Sequence, residues 1–329
     1  MKLPSRLPVW SITCPIAAWV LLVLNFTGHG VGLGGLFEVL LVSGLVAGVL
    51  AAVFHAEVVA HRVGEPYGTL VLALAVTGIE VALIVSLMIA GGEAASGLAR
   101  DTVFASVMII LNGMVGLCLL TGGRRHGEQS FGLFGVSTAL ATLAAISVLA
   151  LVLPNYTTTI LGPFYSSSQL IFIAVVSLVL YGTFILVQTV RHRDYFLPVV
   201  AEADEEVHAP PPSNQMASLS AALLLVCLGA VVLLAKALSP ALEMAVASMG
   251  APKTVVGIII ALVVLLPESI AAYHAARANR LQTSLNLALG SALASIGLTI
   301  PAVALVSLMT GWTLSLGIDA KSTVLLVLS

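Results

Sequence analysis

From Pro66 to Ala90 the chain runs for about 25 residues with a single charged side chain, Glu80, near the middle. Wound as a helix, a run of that length spans the roughly 30 Å hydrocarbon core of a bilayer. An ionised carboxylate at that depth costs several kcal/mol or more, so such a position marks an ion or proton pathway by default. A second glutamate, Glu268, is the only charged residue of the apolar run Thr254–Ala276, with Tyr273 and His274 further along. Each acid lies about fifteen residues into its run, near the midplane of a span.

The rest of the chain has the same character. It is 59% hydrophobic and 9% charged, with a mean hydropathy of +1.12, which excludes a soluble globular domain. A net charge of −2 gives no basic surface for nucleic acid. Cys14, Cys118 and Cys227 show neither paired nor metal-ligand spacing. Lys2 and Arg6 precede an apolar run, as in a secretory leader. No small-x-small cleavage site follows Leu24, so a retained first span is expected.

Apolar runs mark ten spans, roughly 8–25, 34–56, 66–90, 101–121, 131–153, 168–190, 217–238, 253–276, 283–309 and 321 onward. Turn residues separate them, among them Thr27-Gly28-His29-Gly30, Gly91-Gly92, Gly122-Gly123, Gly162-Pro163 and Gly311. The last run is too short to cross a bilayer, so a complete chain is expected to finish it and add an eleventh span. The one shift in composition, residues 191–216, holds Glu202, Asp204, Glu205, Glu206 and three consecutive prolines. It reads as an exposed acidic linker, a solvated tether or a cation sensor.

Orientation follows from the basic residues. With the N-terminus inside, the cytoplasmic side holds Lys2, Arg6, Arg62, Arg124, Arg125, Arg191, Arg193, Arg277 and Arg280. The other side holds Arg100, Lys236, Lys253 and Lys321. The two glutamate runs are then antiparallel, with five spans from one to the next. The expected fold is an all-α polytopic membrane protein with an inverted-topology repeat, which places a substrate site near the midplane where the repeats meet. The expected organisation is an extra N-terminal span (1–32), a first repeat (33–190), the acidic cytoplasmic linker (191–216) and a second repeat (217–329).

Both glutamates have helix-weakening neighbours: Thr77 and Gly78 before Glu80, Pro267 before Glu268. Proline has no N–H, so it frees a carbonyl one turn earlier, and such carbonyls make cation ligands in broken-helix transporters. A simple kink is the plainer reading. The span after each acid is rich in small and hydroxylated residues: Ala105-Ser106 and Asn112-Gly113 in one, Asn286, Gly290-Ser291, Ser295 and Gly297 in the other. Plain helix packing accounts for many of these. Ser106 and Ser291 stand out because each follows a small residue at a similar distance from its glutamate. Glu80, Glu268, Thr77, Ser106 and Ser291 are therefore the candidate cation- and proton-binding residues, with Glu80 and Glu268 as the candidate metal ligands.

Three further residues are candidates for a proton path. Glu57 lies between His55 and His61, with His61 one helical turn away. Glu38 lies near the outer end of the same run. Each can equally anchor a helix end. His274 falls on roughly the opposite helix face from Glu268. An intramembrane enzyme would need a nucleophile–base pair or a metal triad at one depth. No H-E-x-x-H or paired-Asp motif occurs, so an enzyme is not expected. A passive cation channel is the alternative to an exchanger.

The residues around both acids resemble the calcium/proton antiporter family of the cation/Ca2+ exchanger superfamily, and within it the bacterial ChaA type of sodium(calcium)/proton antiporter. AHRVGEPYGTLVLALAVTGIEV, Ala60–Val81, is similar to that family's first repeat motif, with Arg62, Gly64, Gly68, Leu70 and Ala73 on its pattern and Glu80 on its acid. Glu268 falls on the acid of the second motif, followed by Asn279-Arg280, Ala288-Leu289-Gly290-Ser291-Ala292 and Pro301. The family's G-N before each acid is replaced here by Val76-Thr77 and Val264-Leu265, and a polar position after the second G-S by Ala294. The resemblance implies exchange of Ca2+, Na+ or K+ for protons by alternating access, in a bacterial inner membrane. Cation and protons would compete for Glu80 and Glu268. Calcium takes six to eight oxygens, and the leaner set here leaves Na+ and K+ open. No cofactor is implied. The partners are inorganic cations, protons and the bilayer, with no nucleic acid and an oligomeric state left open.

Overall fold

The computed structural model describes residues 7–29, 34–64, 67–197, 212–252 and 254–329. Eleven α-helices follow one another among them: α1 Val9–Phe26, α2 Gly35–Val63, α3 Tyr67–Gly91, α4 Leu98–Met108, α5 Val115–His126, α6 Leu133–Ser147, α7 Ser167–Leu186, α8 Asn214–Ser248, α9 Thr254–Arg277, α10 Leu281–Thr310 and α11 Ala320–Leu328. A π-helical turn, Ile109–Met114, joins α4 to α5 into one rod. Two more close α6 (Val148–Val152) and α7 (Val187–Arg191). Nine helical rods among the described residues are long and apolar enough to cross a membrane. The protein is thus an all-α polytopic membrane protein. The acidic residues Glu202–Glu206 and the basic Lys2, Arg6 and Lys253 lie outside the described residues.

The helices pack as two units, each drawing on both halves of the chain. One comprises residues 1–91 and 204–256, and so contains α1, α2, α3 and α8. Its core gathers Ala18, Leu22, Phe37, Leu41, Ala230, Leu234 and Leu238. Lipid tails are as apolar as leucine, so dispersion and close fit, rather than exclusion of water, hold such a core. Small residues supply the fit: Gly48 lies where a β-carbon would stand 3.1 Å from Val231 of α8. α2 ends at Gly64, at φ 77°, a conformation open to glycine without strain.

The second unit comprises residues 92–203 and 257–329 and is built on α10, which packs against α4, α5, α6 and α7. Gly297 lets α10 lie directly on Tyr181 of α7, where a β-carbon would come within 2.9 Å of the tyrosine's own. Gly257 of α9 likewise faces the backbone at the start of α4, where a β-carbon would stand 3.1 Å from Thr102 N. Side chains close one end of this unit. Gln282 Oε1 accepts from Gly132 N (2.6 Å), and Gln282 Nε2 donates to Asn286 Oδ1 (2.9 Å). Asn286 Nδ2 in turn donates to Phe196 O (2.6 Å). A buried extended segment, Leu314–Ile318, lies at the other end. There Arg100 pairs with Asp101 (2.7 Å) and donates to Ser315 Oγ (3.1 Å), while Ile318 N donates to Leu151 O (2.8 Å).

The structure corrects several sequence boundaries. Gly122-Gly123 does not end a span: α5 continues to His126 and stops at Gly127, φ 76°. Gly122 is small because the Gln129 side chain folds back onto it. The run expected to end at 238 continues as α8 to Ser248 with Pro240 inside it, so Lys236 lies two turns or more before the helix end rather than at it. The segment starting at 191 opens with fixed structure. Residues Arg193–Phe196 form a 3-10 turn, and Phe196 is buried edge-on against Phe184, at 5.9 Å between ring centroids.

Candidate cation site

Glu80 and Glu268 stand at matching places on helices of nearly equal length. α3 has 25 residues and α9 has 24. Glu80 is 2% exposed, and Thr77, one turn earlier on the same face, is buried with it. The face continues through Leu83, Ile84 and Leu87, all buried, so the acid sits midway along an apolar stripe. Within this unit α3 packs against α2 and α8. The structure therefore brings Thr77 and Glu80 together.

Glu268 belongs to the other unit and is half-buried at the centre of α9. Pro267 lies within the helix immediately before it, so the carbonyl of Val263 has no donor from its own ladder. Ser106, on α4, is fully buried, and α10 packs against that helix. Ser291 is half-buried on α10, and Ser295, one turn further on the same face, is buried. The π-helical turn starts three residues after Ser106 and contains Asn112, whose Nδ2 donates to Met108 O (3.2 Å). A π-turn widens a helix and is frequent at functional sites. Sequence reading missed it. The adjacent Asn112-Gly113 was the available signal.

The suggested proton-path residues divide. Glu57 is half-buried two turns before the end of α2, His61 is exposed, and no hydrogen bond joins them. Glu38 is exposed in the first turn of α2. His55, treated in the sequence only as a neighbour of Glu57, is fully buried and hydrogen-bonded to the backbone of α1: its Nε2 lies 3.0 Å from Ser11 O. His274 is exposed. Among the described residues no group of three His, Cys, Asp or Glu forms a metal cage.

Nine helical rods among the described residues that are long and apolar enough to cross a membrane, with a carboxylate midway along two of them, fit the class of secondary ion transporters. The sodium/calcium exchanger protein family matches residues 34–190 and 219–329, and the chain belongs to that family. It is 48% identical to the Sinorhizobium fredii protein y4hA, over 99% of this chain and 88% of that one. It is 36% identical to the sodium-potassium/proton antiporter ChaA of Escherichia coli, over 97% of this chain and 87% of that one. Among solved structures, native YfkE superposes with a TM-score of 0.67 at 17% identity, covering 95% of this chain and 88% of YfkE. The H+/Ca2+ exchanger CAX superposes at 0.65 and 16% identity, covering 97% and 80%. The protein shares their fold and is a multi-pass membrane cation exchanger.

Proposed function

We propose that the protein exports a cation, Ca2+ or the monovalent Na+ or K+, in exchange for protons, and that Glu80 and Glu268 carry both in turn. The observation behind this reading is Glu80: a carboxylate 2% exposed, halfway along a helix that crosses the hydrocarbon. Burial in an apolar setting favours the neutral carboxylic acid, and a cation at hand favours the carboxylate. Loading the cation therefore expels the proton. Two acids neutralise two positive charges, as one divalent ion or as two monovalent charges. An empty, doubly charged site is costly in the membrane and resists reorientation, which couples the two fluxes.

The names of relatives support the ion classes. ChaA is a sodium-potassium/proton antiporter and CAX an H+/Ca2+ exchanger. Thr77, Ser106 and Ser291 supply hydroxyl oxygens in this reading, and the carbonyl freed by Pro267 supplies another ligand. The two glutamate helices belong to inverted repeats, 33–190 and 217–329, after an extra first span 1–32 and around the cytoplasmic linker 191–216. The N-terminus is cytoplasmic, in a bacterial inner membrane. Glu57, His61 and Glu38 lie on the proton's route to the site.

The test is dissipation of an imposed pH gradient in proteoliposomes on addition of Na+, K+ or Ca2+. Saturable, cation-dependent proton movement is expected. Glu80→Gln and Glu268→Gln should each abolish it while leaving a folded protein, because a neutral amide is easier to bury than a carboxylate. A linear current independent of protons would identify a channel instead. Full exchange by Glu80→Gln would overturn the reading.

A further inference from the structure

Three arginines meet at one end of the second unit. Leu117, Leu120, Thr121, Arg124 and Arg125 lie on one face of α5, at helical spacings of three and four. Tyr273 and Arg277, one turn apart at the end of α9, face them across a cavity of about 460 Å³. The Arg277 guanidinium carbon stands 5.7 Å from the centroid of the Tyr273 ring, a cation–π distance that orients it. Among the described residues no carboxylate lines the cavity.

Capping of helix ends does not account for this convergence. The last carbonyls of α9 already have other donors: His126 Nε2 bonds Arg277 O (2.9 Å) and Gln129 Nε2 donates to Ala276 O (3.0 Å). The guanidinium groups remain exposed, with their charge directed into the cavity rather than onto the backbone. Towards the membrane the same face changes to leucine, with Leu117 and Leu120 both exposed. One wall thus presents fixed positive charge at the helix end and bare hydrocarbon one to two turns deeper.

We infer that this cavity binds the phosphodiester headgroup of an anionic membrane lipid, its phosphate held by Arg124, Arg125 and Arg277 and its acyl chain laid along Leu117 and Leu120. Guanidinium forks match phosphate oxygens, and basic pockets between transmembrane helices bind anionic headgroups. A soluble phosphate would use the arginines but leave the leucine wall bare. Among the described residues that line it there is neither Glu80 nor Glu268, and its ligand does not depend on which ion is carried.

The experiment is thermal unfolding of the detergent-solubilised full chain, followed on titration with one of three probes. These are phosphatidylglycerol, phosphatidylcholine with the same chains, and glycerol 3-phosphate. Phosphatidylglycerol should raise Tm in a saturable way, by about 2–4 °C, while the other two leave it unchanged. Arg124→Gln/Arg125→Gln/Arg277→Gln should lose the shift, whereas Arg62→Gln, at the exposed end of α2, should keep it. If the triple variant does not fold, the single variants Arg125→Gln and Arg277→Gln decide. Each should raise the half-saturating lipid concentration at least about threefold, the loss of part of a charge-assisted contact. An undiminished shift in the arginine variants would overturn the site. A full shift with glycerol 3-phosphate would overturn the lipid as its ligand.

Discussion

The Nε2 atom of His55 lies 3.0 Å from the carbonyl oxygen of Ser11, the carbonyl that Pro15 leaves without a donor from its own helix. A buried carbonyl in hydrocarbon needs a partner, and α2 provides one from a side chain that is itself fully buried. Proline in one span and histidine in the next are two parts of one clip. Its consequence can be measured. His55→Leu should destabilise the packing of α1 on α2 by about 1–2 kcal/mol. In a Pro15→Ala background, where Ser11 O regains its helical donor, the same change should cost about 1 kcal/mol less. Thermal unfolding of the four proteins in detergent gives the coupling, and strict additivity would remove the clip.

The proposed competition between proton and cation at Glu80 and Glu268, if it operates, fixes a sign. Lowering the pH fills the carboxylates with protons, so the apparent Km for the cation should rise as pH falls from about 9 to about 6, with maximal rate changing less. A Km independent of pH over that range would exclude direct competition at shared carboxylates. Thr77→Val should raise Km modestly without altering the pH trend, since it removes one hydroxyl beside Glu80 and leaves the acid in place.

α11 carries an acid-sensitive start. Ser322 N–H donates to Asp319 Oδ1 at 2.6 Å, and this bond holds the Asp319 carboxyl below the usual carboxylate range, with Lys321 and Arg100 contributing. A depressed pKa stabilises the folded helix above the ordinary carboxylate value, and that stabilisation is lost as pH falls through the lower, folded value. Amide exchange along Ala320–Leu328, corrected for intrinsic rates, should accelerate only under strongly acidic conditions. Asp319→Asn keeps a capping oxygen but cannot titrate, so its exchange should lose this acid step.

Topology is checked by labelling in a background without the native cysteines. Leu161→Cys, in the loop between α6 and α7 where Leu161 is 90% exposed, should react with an impermeant thiol reagent from outside the cell. Gln215→Cys, at the exposed start of α8, should react only after the cytoplasm is opened. Reversal of both would invert the assigned orientation. Labelling of both from one side would remove the inverted repeat.

Much of this architecture could be read from the chain because hydrocarbon leaves few options. Runs of apolar residues must be helices, and Glu80 and Glu268 stood out against them. The ends of helices were less legible. Gly122-Gly123 reads as a break, but α5 runs through it because Gln129 occupies the space above Gly122 and Gly127 takes the turn. The run expected to end at 238 likewise continues to Ser248, with Pro240 inside α8. The buried segment Leu314–Ile318 has no periodic signal. It is held by Arg100, Leu151 and Pro163, all distant in sequence. Around the candidate site, Thr77 beside Glu80 followed from helical spacing alone, whereas the π-turn after Ser106 depends on how the rod packs and leaves only a polar pair in the sequence.

That π-turn sets a phase. One extra residue in a helix turns everything beyond it by about 100° relative to an unbroken α-helix. Ser106 precedes Ile109–Met114 and points inward, while Leu117, Leu120 and Arg124 follow it and point outward. The buried hydroxyl and the arginine cavity are therefore geared to each other through a single residue of register. Deleting one residue from Ile109–Met114 would let the rod relax to a uniform α-helix. It would leave Ser106 and the arginine face in the phase they now share, whereas an unbroken α-helix with every residue kept would turn the arginines about 100° away from Tyr273.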